Sequence, residues 1–175
     1  MALLQLVSRL IAAGSDAGQI WAGLPPSARQ AVIDFITDGT MQVDTYRPDV
    51  PRQVKAMAAG GRCKPVGYHV KYSTRLFGIT IWTFQAAMYF CYDGFKITYA
   101  SEPIVRGEAH WTWEYKGLVG PIGKVGGVGF PMEEVYIQGH FVSCPAWIVP
   151  CLKTMDPWIR LEAHGDGSSR ASGHV

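Results

Sequence analysis

Four cysteines, Cys63, Cys91, Cys144 and Cys151, are the side chains of this 175-residue chain whose chemistry depends most on their arrangement. None forms a C-x-x-C pair, and the gap from Cys144 to Cys151 is wider than the usual zinc-ligand spacing, so the pattern does not predict a structural zinc site. A thiol nucleophile needs a histidine in reach, but no recognisable motif surrounds any of the four. An even count spread over a connector, a hairpin and a loop fits two disulfides in an oxidising compartment. The alternative is four small, buried core residues. If bridges form, Cys144 pairs with Cys151, because the two bracket PAWIVP, a proline-containing segment that must turn the chain. Cys63 is then left for Cys91.

Other reactive types are weaker signals. His110, His140 and His164 fall on the polar sides of their segments and would hold a metal only if those segments were neighbours, so no metal site is expected. Glu114 with Glu162, or Asp156 with Asp166, could act as acid and base, yet any chain of this size offers such pairs. The run GLVGPIGKVGGVG, residues 117 to 129, has the glycines of a phosphate loop. However, Val125 follows Lys124 where the Walker pattern needs Ser or Thr, and no helical period follows. It reads as a connection between strands. No catalytic residue and no cofactor are expected.

The elements that must position these residues fall into two regimes. Leu3, Leu4, Val7, Leu10 and Ile11 recur at helical spacing up to Gly14. Ala28, Ala31, Val32, Phe35 and Ile36 form a second stripe, with Ser27 and Gln30 as a capping box and Gly39 as the stop. Residues 1–40 are thus a helical segment and 41–64 a connector, with one short helix near Val54 to Ala59. From Val66 the period becomes two: Trp82, Phe84, Ala86, Met88 and Phe90 share one face, as do Trp111 with Trp113, Val135 with Ile137 and Phe141, and Ile159 with Leu161 and Ala163. Asp93-Gly94 predicts a two-residue type I′ hairpin in which Tyr92 pairs with Phe95. Strands joined by turns, with no helices between them, predict an antiparallel β-sandwich, or a partly open barrel, over 65–168 and a loose tail over 169–175.

Composition narrows the function. Hydrophobic residues make up 48% and charged ones 17%, as in a folded domain. A net charge of +2 cannot supply the basic stripe that a phosphate backbone requires, which argues against nucleic acid. No run approaches the roughly 18 to 20 apolar residues of a membrane span. The N-terminal stretch lacks a basic region and carries Arg9 inside its apolar run, so it does not read as a signal peptide.

In order, the blocks FCYDGFKIT, HWTWEYKGLVG, YIQGHFVSCPAWIVPC and MDPWIRLEAHGDGS resemble small secreted, tryptophan-rich β-proteins of actinobacteria, over about residues 65–168. The resemblance implies export and disulfides and supplies no catalytic residue. The long helical N-terminus departs from that pattern. The expectation is a secreted, non-enzymatic binding or assembly module. It would meet a protein partner or a second copy through Trp147, Ile148 and Val149 between the cysteines, or through Trp158, which stands opposite the apolar face of its strand. A glycan stacked on Trp158 or Trp147 is the alternative ligand, and a virion or particle subunit is a variant of assembly.

Overall fold

A computed structural model describes residues 2–49, 51 and 62–175. Three helices come first: α1 (Ala2–Ala12), α2 (Ala17–Ala22) and α3 (Pro26–Thr37), with a 3₁₀ turn over Gly14–Asp16. Among the described residues eleven strands follow. One antiparallel sheet holds β1 (Gly39–Thr45), β2 (Arg62–Thr74) and β3 (Thr80–Tyr92) in order, with β4 (Ile97–Ala100) and β5 (Ile104–Ala109) both paired to β3. The other is built around β8 (Met132–Ser143). It pairs with β6 (Trp113–Leu118), β7 (Gly123–Gly126), β9 (Lys153–Met155) and β10 (Trp158–His164), and β11 (Ser169–His174) adds to β10. The predicted sandwich is present. No helix among the described residues is long and apolar enough to cross a membrane.

The period-two pattern does the packing. Trp82, Phe84, Met88 and Phe90 of β3 are completely buried, and Val135, Ile137, Phe141, Ile159 and Leu161 meet them from the second sheet. Aromatic rings run within and between the layers: inside each sheet Tyr72 stacks on Trp82 at 5.4 Å and Phe141 lies 4.9 Å from Tyr115, and across the sheets Trp82 stacks on Phe141 at 4.5 Å. Such ring contacts contribute about 0.5–1.5 kcal/mol each beyond the area they bury.

The helices pack on this sandwich. Val7, Leu10, Val32, Phe35 and Ile36 belong to the same core as the strands, and Phe35 stacks on Trp111 at 5.5 Å. The last carbonyls of a helix lack intrahelical donors. Here Ile36 O accepts from Trp113 Nε1 at 3.1 Å, and Thr37 O accepts from Tyr72 Oη at 2.7 Å and Lys153 Nζ at 2.8 Å.

Several expectations are corrected. Residues 39–45 lie partly in the expected connector, yet they form β1 on β2. The short helix near Val54 to Ala59 falls outside the described residues. Residues 169–174 form β11 rather than a loose tail, because β10 offers them a free edge. Strand β7 interrupts the glycine-rich connection. The capping box does not form: Pro25 precedes the helix with no side-chain cap, and Gln30 donates to Asp34 Oδ1 instead. Gly39 is not a left-handed stop. It begins β1, where a Cβ would sit 2.5 Å from the Tyr72 ring.

The hairpin is also wider than expected. Tyr92 pairs with Ile97, not Phe95, and Phe95 is 86% exposed. Asp93 Oδ1 accepts the N–H groups of Phe95 and Lys96, and Gly94 N–H donates to Gly165 O in the β10–β11 loop. A contact from the other sheet thus replaces the tight local turn. Trp111 leaves the face it was expected to share with Trp113, since β6 begins only at Trp113. It adopts φ +64°, unusual for a bulky side chain, which turns its ring onto Phe35.

Two stability predictions follow from this packing. Phe35→Ala should cost about 3–5 kcal/mol, read as a lower urea midpoint with loss of near-ultraviolet ellipticity from Trp111. Glu133 on β8 is only 5% exposed and its Oε2 has no partner. Burial pushes its carboxyl pKa up, Lys124 opposes the shift and Glu102 adds to it. Because the folded pKa exceeds the unfolded one, the stability the protonated form contributes is present below the ordinary carboxylate range and lost as pH rises through the raised value. Glu133→Gln should therefore match the parent chain at about pH 4 and exceed it at about pH 8 in urea unfolding.

Candidate functional site

All four cysteines are bridged, in the pairing expected: Cys63 with Cys91 and Cys144 with Cys151. The first bridge joins directly opposed residues of β2 and β3, and Cys91 is completely buried. The second closes a ring of short sequence separation, 7 residues, at the end of β8. Within it Ile148 N–H donates to Pro145 O, while Cys144 N–H donates to Thr112 O and Leu152 N–H to Ser143 O, fixing both feet of the loop. The Val149–Pro150 bond is cis.

This loop sorts three of the proposed contact residues. Trp147 turns inward and packs on the core, with its Nε1 buried and without a hydrogen-bond partner. Ile148 is half-buried. Val149 is 93% exposed. Beside Trp147 lies a cleft of about 380 Å³, lined by Ile11 and Gly14 from the helical segment, by Trp111, Trp113 and Glu114, and by Trp147 itself. Its volume lies within the range of small-ligand and side-chain pockets. Neither wall would exist without a tertiary contact: the helices supply one and the disulfide ring the other.

The fourth proposed residue, Trp158, stands elsewhere, on the outer face of the second sheet. Its ring lies nearly parallel to that of Tyr136, with centroids 5.9 Å apart. Register explains the meeting, because Trp158 pairs with Gln138 and Tyr136 with Arg160, making the two rings diagonal neighbours. Sequence reading missed Tyr136 as a site residue. Its polar-face position on β8 was visible, but its neighbour across β10 was not.

The structure separates the histidines. His140 Nδ1 lies 2.6 Å from Asp156 Oδ1 on an open surface, His164 lies 3.9 Å from Glu162 at the other end of the β8–β10 pair, and His110 precedes the turn into β6. Among the described residues no group of three or more His, Cys, Asp or Glu side chains could hold a metal ion. The nominated acids are likewise apart: Glu114 pairs with Lys116, Glu162 with Arg160, and Asp166 accepts from Ser168. Sequence reading also passed over an apolar tip at the far end of the sandwich, where Phe95 and Phe130, 86% and 58% exposed, sit on loops joined by the backbone bond from Ile97 N–H to Phe130 O.

Comparison with protein-family models, with curated proteins and with solved structures finds no match for this chain.

The loop geometry yields a test. Replacing Cys144 and Cys151 together by serine should cost about 2–3 kcal/mol in thermal or urea unfolding. Intact mass of the parent chain should rise by two hydrogens per bridge on reduction, and the loop amides of the double variant should exchange faster.

Proposed function

We propose that the chain is a secreted, non-enzymatic contact module that meets an apolar side chain of a protein partner at the Cys144–Cys151 loop. The observation that carries this reading is Val149, a valine 93% exposed at the tip of a ring closed by a disulfide and anchored by Trp147. An isolated exposed apolar residue needs no explanation. One carried on a disulfide-closed ring whose residues 144–147 line a tryptophan-walled cleft of about 380 Å³ has the form of a recognition feature, since a preorganised contact loses little entropy when a partner arrives.

Chemistry fits less well. Every thiol is spent in a bridge, and the His140–Asp156 pair lies among strand side chains rather than in the cleft. Export is supported by the two disulfides, which persist in oxidising surroundings, and by the resemblance to small secreted tryptophan-rich proteins. The partner is a different protein or a second copy of the chain.

A photo-crosslinking residue in place of Val149, with one in place of Arg170 as the control, tests the reading. A discrete adduct formed only from the Val149 position supports it, and the adduct mass separates a partner from a second copy. Equal crosslinking from both positions, or none from either, would count against it. Val149→Asp should abolish the adduct-forming complex without changing the melting temperature.

A further inference from the structure

The outer face of the second sheet carries an aromatic pair that lies outside the core. Along β8 and β10 the inward residues Val135, Ile137, Ile159 and Leu161 are at most 1% exposed and fill the core. The outward positions of such a strand are ordinarily polar. Tyr136 nevertheless stands there 40% exposed, with Trp158 partly exposed beside it, their planes 27° apart. Across β7, the residue opposite Tyr136 is Gly123, which puts no side chain against the ring.

The rim is hydrogen-bonding and internally charge-paired. On one side Gln138 sits opposite Trp158 and donates to Asp156 O, while the Asp156 carboxylate is held by His140. On the other, Arg160 lies between Glu134 and Glu162, with its Nε 3.1 Å from Glu162. The carboxylates and the guanidinium next to the rings therefore face one another, while Arg170, across from Glu162 on β11, stands four positions along the strand from Trp158, so a neutral ligand fits the rings better than a phosphate, sulfate or uronate. Planar amide, carboxylate and guanidinium groups around an aromatic face are what a sugar needs: hydroxyls meet the planar groups, and the weakly positive C–H face of a pyranose meets the negative face of a ring.

We infer that this face is a binding site for a neutral carbohydrate chain, with Trp158 and Tyr136 as its stacking surface and Gln138, Asp156 and Arg160 as its hydroxyl contacts. A protein partner fits it less well. Two rings that partly cover each other fall well short of the roughly 800 Å² per partner that a stable protein interface buries. The site is distinct from the Val149 loop, which follows the far end of β8, and it stands whether or not that loop binds a protein.

The test is titration of the isotope-labelled full chain with cellotetraose, chitotetraose and maltotetraose, following the six tryptophan indole N–H signals. At least one sugar should shift the Trp158 signal. Trp158→Ala should then weaken binding about tenfold or more while the melting temperature stays near that of the parent, and Trp158→Phe should recover part of the loss. Should Trp158→Ala fail to fold, Gln138→Ala replaces it, with a smaller loss expected. Val149→Asp should bind the sugar normally, so failure of the loop proposal and failure of this one are distinguishable. The inference is overturned if none of the three sugars moves the Trp158 signal, if shifts are confined to Trp111 and Trp147, or if neither Trp158→Ala nor Gln138→Ala weakens binding.

Discussion

The end of α3 is where the two halves of the chain become one object. Two successive carbonyls, those of Ile36 and Thr37, leave the helix without intrahelical donors and enter a region walled by aromatic rings. An unpaired buried carbonyl costs about 1–3 kcal/mol, so the helix can end there only if donors wait for it. They come from three strands of two sheets: Trp113 of β6, Tyr72 of β2 and Lys153 of β9. Lys153 also places a positive charge at the negative end of the helix, and its Nζ lies 5.3 Å from the centre of the Tyr72 ring. The helical segment is thereby fixed as part of the domain rather than as an arm reaching for another subunit.

The same donors tie the helix end to the aromatic core. Tyr72 stacks on Trp82 of its own sheet and meets Trp113 of the other edge to face, so a ring that caps the helix also joins the two sheets. Glycines admit the rings where β-carbons would collide: at Gly139 a Cβ would lie 2.8 Å from the Phe84 ring, and at Gly39 one would lie against Tyr72. The disulfides act outside this centre. One bonds β2 to β3 in a small cluster with Tyr89 and Tyr99 that is separate from the main core, and the other holds the turn after β8, so the core is built from rings and its margins are held by sulfur.

What is left over after folding defines the surfaces with something to offer. Trp147 and Trp111 are drawn inward and become walls, so the loop between the cysteines presents one valine instead of a broad apolar knob. Trp158 stays outside because its strand alternates, and Tyr136 joins it because the β8–β10 register makes the two diagonal neighbours. The loop and the sheet face differ in kind. One is an exposed valine on a disulfide-closed ring, and the other is an aromatic patch among paired polar groups.

By itself the sequence determined the class of fold, the buried faces of β3, β8 and β10, and the helices α1 and α3. Each of these rests on periodicity or on proximity along the chain, which local physics reads directly. Tertiary structure alone decided that residues 39–45 and 169–174 would become edge strands, that the Asp93-Gly94 turn would widen against Gly165, and that Trp111 would take a left-handed backbone to reach Phe35. It also decided which side chains would share a surface: Tyr136 with Trp158, His140 with Asp156, Ile11 with Trp147. These outcomes depend on contacts between segments distant along the chain, whose energy exists only once two layers have met, and a periodic pattern records which face of a strand is buried but not what lies opposite it.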